Sequence, residues 1–128
     1  MAASPQYAAT PVVGQSSNTV ANPNRNGTGT IVDVLTGGPN GTRIDRVCIQ
    51  SLVTTTAGLF RLYITAPAQT ARLLIEIPMS ANTVSATNPG FHQEVGLFGG
   101  MFLPTGWKLQ SSIEKAESTI CQAFGGDF

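Results

Sequence analysis

At 128 residues the chain has the length of one domain, and only 11% of it is Asp, Glu, Lys or Arg, where a soluble domain usually carries about 25%. Seven basic residues cancel seven acidic ones, and Arg25, Arg43, Arg46, Arg61 and Arg72 are scattered, so there is no basic stripe to neutralise phosphates and no direct nucleic-acid role is expected. Thr, Ser, Asn and Gly replace the missing charge, with no membrane-length apolar run, so no membrane partner is expected either.

A polar but weakly charged surface repels its neighbours little, and protein-protein contacts deplete charge at their centres. The composition therefore points to a part of an assembly rather than a freely diffusing catalyst. Met1 to Gln6 has neither a basic nor an apolar leader region, which predicts synthesis in the cytoplasm. Cys48 and Cys121 are far apart in sequence and could pair, but in a reducing compartment they read as two buried small hydrophobes. The Asn-Gly-Thr triplets at Asn26 and Asn40 read as Asn-Gly turns.

In chain order, residues 1–26 are rich in Ala, Pro, Ser and Asn. They are expected to form an extended arm, punctuated by Pro5, Pro11 and Pro23, with short strand pieces at Pro11-Val12-Val13 and Thr19-Val20-Ala21. Residues 27–128 repeat short apolar segments between turn signals, the pattern of a β-sandwich or jelly roll of about eight antiparallel strands. Thr28 to Leu35 is the first of these, ending at Gly37-Gly38-Pro39-Asn40-Gly41. Arg43 to Thr54 changes apolar phase, which predicts a bulge near Asp45. Leu59 to Thr65 alternates, with Phe60, Leu62 and Ile64 on one face and Arg61 and Tyr63 on a face that should be wet or at an interface.

Ala71 to Ile77 repeats that alternation, with Arg72 outward, and Pro78 is expected to end it. A weaker strand is predicted at Thr83 to Ala86 and another at Phe91 to Leu97, before a Gly99-Gly100 loop. Phe98, Met101, Phe102 and Leu103 then form an apolar loop that caps one end or meets a partner. Gly106 to Ile113 places Trp107, Leu109 and Ile113 inward. Ser112 to Ser118 lacks an apolar stripe at helical spacing and reads as a charged hairpin turn, before a last strand from Ser118 to Phe124.

Chemistry-bearing constellations are sparse. His92 is the single histidine, and no Gly-x-Ser-x-Gly elbow accompanies it, so a catalytic triad is not expected. Two cysteines and one histidine without close pairing lack zinc spacing, and the acidic residues lack calcium-loop spacing. Glu114 and Glu117 read as a solvated tip rather than a glycosidase pair. Gly37 to Thr42 has neither the Gly-Lys ending nor the following helix of a phosphate loop. No enzyme activity, cofactor or metal is predicted. The candidate protein-protein contacts are Tyr7, Val12, Val13, Arg61, Tyr63, Arg72, Phe98, Met101 and Phe102.

The strings Gly29-Thr30-Ile31, Gly41-Thr42-Arg43-Ile44-Asp45-Arg46, Thr54-Thr55-Thr56-Ala57-Gly58, Gly106-Trp107-Lys108-Leu109, Glu114-Lys115-Ala116-Glu117 and Ala123-Phe124-Gly125-Gly126-Asp127-Phe128 make residues 26–128 resemble small proteins encoded among the virion genes of tailed bacteriophages. The resemblance implies a structural component of a particle. Within that class, size and all-β pattern look like the jelly-roll cement or decoration proteins of icosahedral capsids. The expectation is a non-enzymatic dimer or trimer on the outer capsid surface of a virion, bridging copies of the major capsid protein. A neck, tail or fibre-base component is the alternative, and a carbohydrate-binding sandwich, using Tyr63, Phe102 or Trp107, is a further one.

Overall fold

The computed structural model describes residues 10–128, apart from the surroundings of Phe98 and Gly99. The chain forms eight strands in these residues: β1 Thr10–Asn18, β2 Val32–Thr36, β3 Thr42–Ser51, β4 Gly58–Thr65, β5 Arg72–Met79, β6 His92–Leu103, β7 Lys108–Ile113 and β8 Thr119–Asp127. They build two four-stranded antiparallel sheets, ordered β1-β8-β3-β6 and β2-β7-β4-β5. Consecutive strands pass from sheet to sheet everywhere except β4 to β5, which is the wrapping of an eight-stranded jelly roll.

Period-two alternation accounts for the core. Phe60 and Leu62 of β4, Ile77 of β5 and Leu109 and Ile113 of β7 point inward from one sheet, and Val47, Ile49, Val95, Cys121 and Ala123 from the other, all buried. Fully burying each large apolar side chain stabilises the fold by roughly 1.5–3 kcal/mol relative to exposure. The bend expected near Asp45 is present: β3 shifts register between Ile44 and Arg46 against both β8 and β6.

Where β1 meets β2 the two sheets come very close. A Cβ on Gly14 would lie 2.4 Å from the Val34 carbonyl oxygen, so only glycine fits there. The interior beside this contact is polar. Ser16 and Ser111 hydroxyls are 2.9 Å apart, and the Asn18 amide donates to the Ser111 hydroxyl at 3.0 Å. These partners satisfy one another, which is what makes their burial tolerable.

Several boundaries differ from the sequence reading. Residues 10–18, within the segment read as an arm, pair along the whole of β8. The strand expected from Thr28 begins only at Val32, because the preceding residues cross the outer face of the sheet that β2 then joins. Pro78 does not end β5, since β5 is an edge strand and the absent N–H costs no ladder bond on its open side. Residues 83–86 are not a strand: Asn82, Ser85 and Asn88 fold that loop on itself, with Ser85 and Asn88 exchanging backbone bonds. Gly99 and Gly100 lie within β6, where the register shift opposite Asp45 takes up the extra residues.

Candidate contact surfaces

The outer face of the β2-β7-β4-β5 sheet is covered by the chain itself. After β1, residues 19–31 cross this face as a strap. The Asn22 N–H donates to the Ile113 carbonyl at 2.7 Å, and the Asn22 side-chain amide closes the strap by donating to the carbonyls of Thr28 at 2.9 Å and Thr30 at 3.0 Å. Gly27 sits at φ +85°, where a Cβ would collide with the Ala71 carbonyl, so the Asn-Gly turn is required for the strap to lie flat.

Arg61 and Tyr63 lie under this strap, and the expectation that their face is wet or at an interface is corrected. Arg61 is 2% exposed and Tyr63 fully buried. The Arg61 guanidinium donates to the Asn22 carbonyl at 2.9 Å and to the Glu76 carboxylate at 3.0 Å. The Tyr63 hydroxyl donates to the Asn24 carbonyl at 3.0 Å and accepts from the Ser112 hydroxyl at 3.2 Å. Arg25, on the strap, reaches the same Glu76 oxygen at 2.7 Å. Glu76 therefore holds two guanidiniums, and its carboxyl titrates below the usual range, chiefly through the hydrogen bond from Arg25, against some desolvation and with help from Arg61.

The outer face of the β1-β8-β3-β6 sheet has no such cover among the described residues. Strand register arranges its side chains in rows. Val13, Phe124, Arg46 and Gly96 form one; Gln15, Gln122, Cys48 and Glu94 the next; Ser17, Ile120, Gln50 and His92 a third. The Arg46 guanidinium lies over the Phe124 ring at 5.3 Å, a contact worth about 0.5–1 kcal/mol at an exposed site. Ile120 and Gln122 form a ridge with a depression on either side. One, of about 460 Å³, is lined by Cys48, Gln50, His92 and Glu94; the other, of about 310 Å³, by Gln15 and Ser17.

Both cysteines are free thiols. Adjacent register pairs, Cys48 with Gln122 and Ile49 with Cys121, place them on opposite faces of the sheet, so they cannot bridge. Burial pushes the Cys121 thiol up to about 12.

Other exposed apolar side chains lie at the ends and edges of the sandwich. Leu52 and Val53, in the β3–β4 loop, are 53% and 40% exposed. Next to them the Glu117 carboxylate accepts from the Thr56 N–H at 2.9 Å, and Lys115 donates to the Ala57 carbonyl at 2.6 Å. The charged β7–β8 tip thus anchors a loop as well as meeting solvent. At the opposite end Phe102 is 54% exposed and stacks at a tilt on Phe128, with centroids 5.7 Å apart. Arg72 and Leu73 are exposed on edge strand β5.

Of the residues singled out in the sequence, Val13, Arg72 and Phe102 are exposed, while Val12 and Met101 are half-buried and pack on the core. Leu103 is fully buried rather than part of an apolar loop. Tyr7 and the side chain of Phe98 lie outside the described residues. Sequence reasoning missed Arg46, Gln122 and Glu94; the outward parity of Arg46, Cys48 and Gln50 against Val47 and Ile49 was the signal that could have found their face. Tyr63, Phe102 and Trp107 do not share a surface: Tyr63 is under the strap, Phe102 at one end, and Trp107 packs partly buried against the core. Comparison with protein-family models and with curated proteins finds no match to this chain.

Proposed function

We propose that this protein is a non-enzymatic structural component of a phage particle, a cement or decoration protein that sits on the outer capsid surface and bridges copies of the major capsid protein. One observation carries the reading. Large apolar side chains are exposed on separate sides of a single small sandwich: Val13 on an open sheet face, Leu52 and Val53 at one end, Phe102 at the other. A module that grips a single partner needs one patch. An element that joins neighbours in a lattice needs several, facing different ways, with little charge to repel the next copy.

The sequence resemblance to virion proteins supports the same reading, as do the low charge and the jelly-roll architecture. The test is a cryo-EM reconstruction of intact particles together with a count of copies per particle. Hundreds of copies on the outer shell are expected. Six or twelve copies at the portal vertex would replace this reading with the neck or tail component, and absence from the particle would end both.

A further inference from the structure

The outer face of the β1-β8-β3-β6 sheet carries opposite charges that find no ion pair among the described residues. Arg46 is exposed and lies over the Phe124 ring, and Glu94 is exposed on β6. They are diagonal neighbours: Arg46 pairs with Gly96, and Glu94 with Cys48 one row further along. Arg43 and Asp45, at the bulge, already neutralise each other at 2.8 Å. The face is therefore electrically balanced, with one positive and one negative group left over.

We propose that this face is occupied by a second copy of the chain, in a two-fold, face-to-face dimer that sets Arg46 of each copy against Glu94 of the other. A two-fold contact is self-complementary, so one Arg46–Glu94 pairing implies the reciprocal one. The face also has relief. The Ile120–Gln122 ridge and the depressions flanking it present both a knob and a hole on the same surface. Gly96 leaves open space beside Arg46, with nothing within 4 Å of where a Cβ would lie.

The register makes the arrangement specific. With strands about 4.8 Å apart and same-face residues about 6.8 Å apart along a strand, a two-fold axis joining Arg46 to the other copy's Glu94 brings Cys48 within about 3 Å, in projection, of its own counterpart. The same operation lays Val13, the most exposed apolar side chain of the face, over the other copy's Gln50 and His92. Four strands of about nine residues cover roughly 600 Å² on each copy in projection. The dimer thus buries somewhat more than about 1,000 Å² in total, the lower bound of specific interfaces. The dimer does not depend on the particle proposed above; it takes up Val13 and leaves Leu52, Val53 and Phe102 exposed for other partners.

Sedimentation equilibrium on the full chain, with circular dichroism to verify folding, tests it. The expected mass is twice 13.4 kDa. Arg46→Glu or Glu94→Arg alone weakens association at least about tenfold, because the two-fold axis turns both reciprocal contacts into like-charge pairs at once, and the double reversal restores it. Cys48 lies close to the two-fold axis at the centre of the contact, so a maleimide should label it more slowly in the parent dimer than in the dissociated Arg46→Glu variant. A monomer, a trimer, single variants that associate as tightly as the parent, a double reversal that does not recover, or a dimer whose Cys48 is labelled as fast as in Arg46→Glu would each overturn the proposal.

Discussion

Tyr63→Phe discriminates between a strap that is part of the fold and one that merely lies on it. The substitution leaves the ring, which is fully buried, and deletes a hydroxyl that donates to the Asn24 carbonyl and accepts from Ser112. Asn24 is exposed and its carbonyl can turn to water, so that loss is a net hydrogen bond of about 1 kcal/mol. Ser112 is 1% exposed, and leaving its hydroxyl stranded adds about 1–2 kcal/mol. The expected loss is therefore about 2–3 kcal/mol, read as a lower urea midpoint at unchanged slope, with the melting temperature falling by roughly 6–12 °C for a domain of this size. Removing the stranded partner as well, in Tyr63→Phe with Ser112→Ala, should cost about 1 kcal/mol less than the two single losses combined. A loss below about 0.5 kcal/mol, the scale of an ordinary surface substitution, would mean that Tyr63 is solvated and the strap does not cover it.

Three further outcomes follow from the same geometry. Because the folded-state pKa of Glu76 lies below its ordinary value of 4.5, its contribution is complete above that value and is lost as pH falls through the folded pKa. Protection of the amides in residues 22–30, corrected for the intrinsic exchange rate at each pH, should therefore fall selectively as the pH drops below 4.5, a pH dependence that Glu76→Gln should flatten; an unchanged profile in that variant would assign the effect to another carboxyl, such as Asp33. In Arg46→Glu, which frees the face proposed to dimerise, a maleimide should label Cys48, part-exposed on that face, while Cys121, 0% exposed, reacts only after denaturation. Equal native rates would contradict the assigned strand parity. Gly14→Val should destabilise by about 1–3 kcal/mol or prevent folding, since the added side chain must displace the Val34 backbone; a neutral result in chemical denaturation would place β1 and β2 further apart than described.

How much was legible in the chain depended on how local the cause was. Alternation in Phe60-Arg61-Leu62-Tyr63-Ile64 correctly told which side chains share a face, and the phase change after Ile44 correctly placed the bulge, because both are properties of successive residues in a pleated strand. The opposite face of β4 was misread. Alternation says that Arg61 and Tyr63 point away from the core, not that water lies there, and a segment some forty residues upstream supplies their partners. Pro78 was misread for a related reason: proline ends a central strand and not an edge strand, and only the pairing of the sheets decides which β5 is.

The amino-acid sequence by itself determined an all-β chain with low charge, its main turns and most of its inward side chains, since these follow from pleat geometry and turn chemistry within a few residues. Tertiary structure decided which sheet face stays open. That choice rests on where residues 19–31 cross after β1, on Asn22 and Glu76 holding them there, and on the register that leaves Arg46 and Glu94 diagonal to each other with no ion pair among the described residues. These are contacts between distant segments, and no periodicity along the chain encodes them.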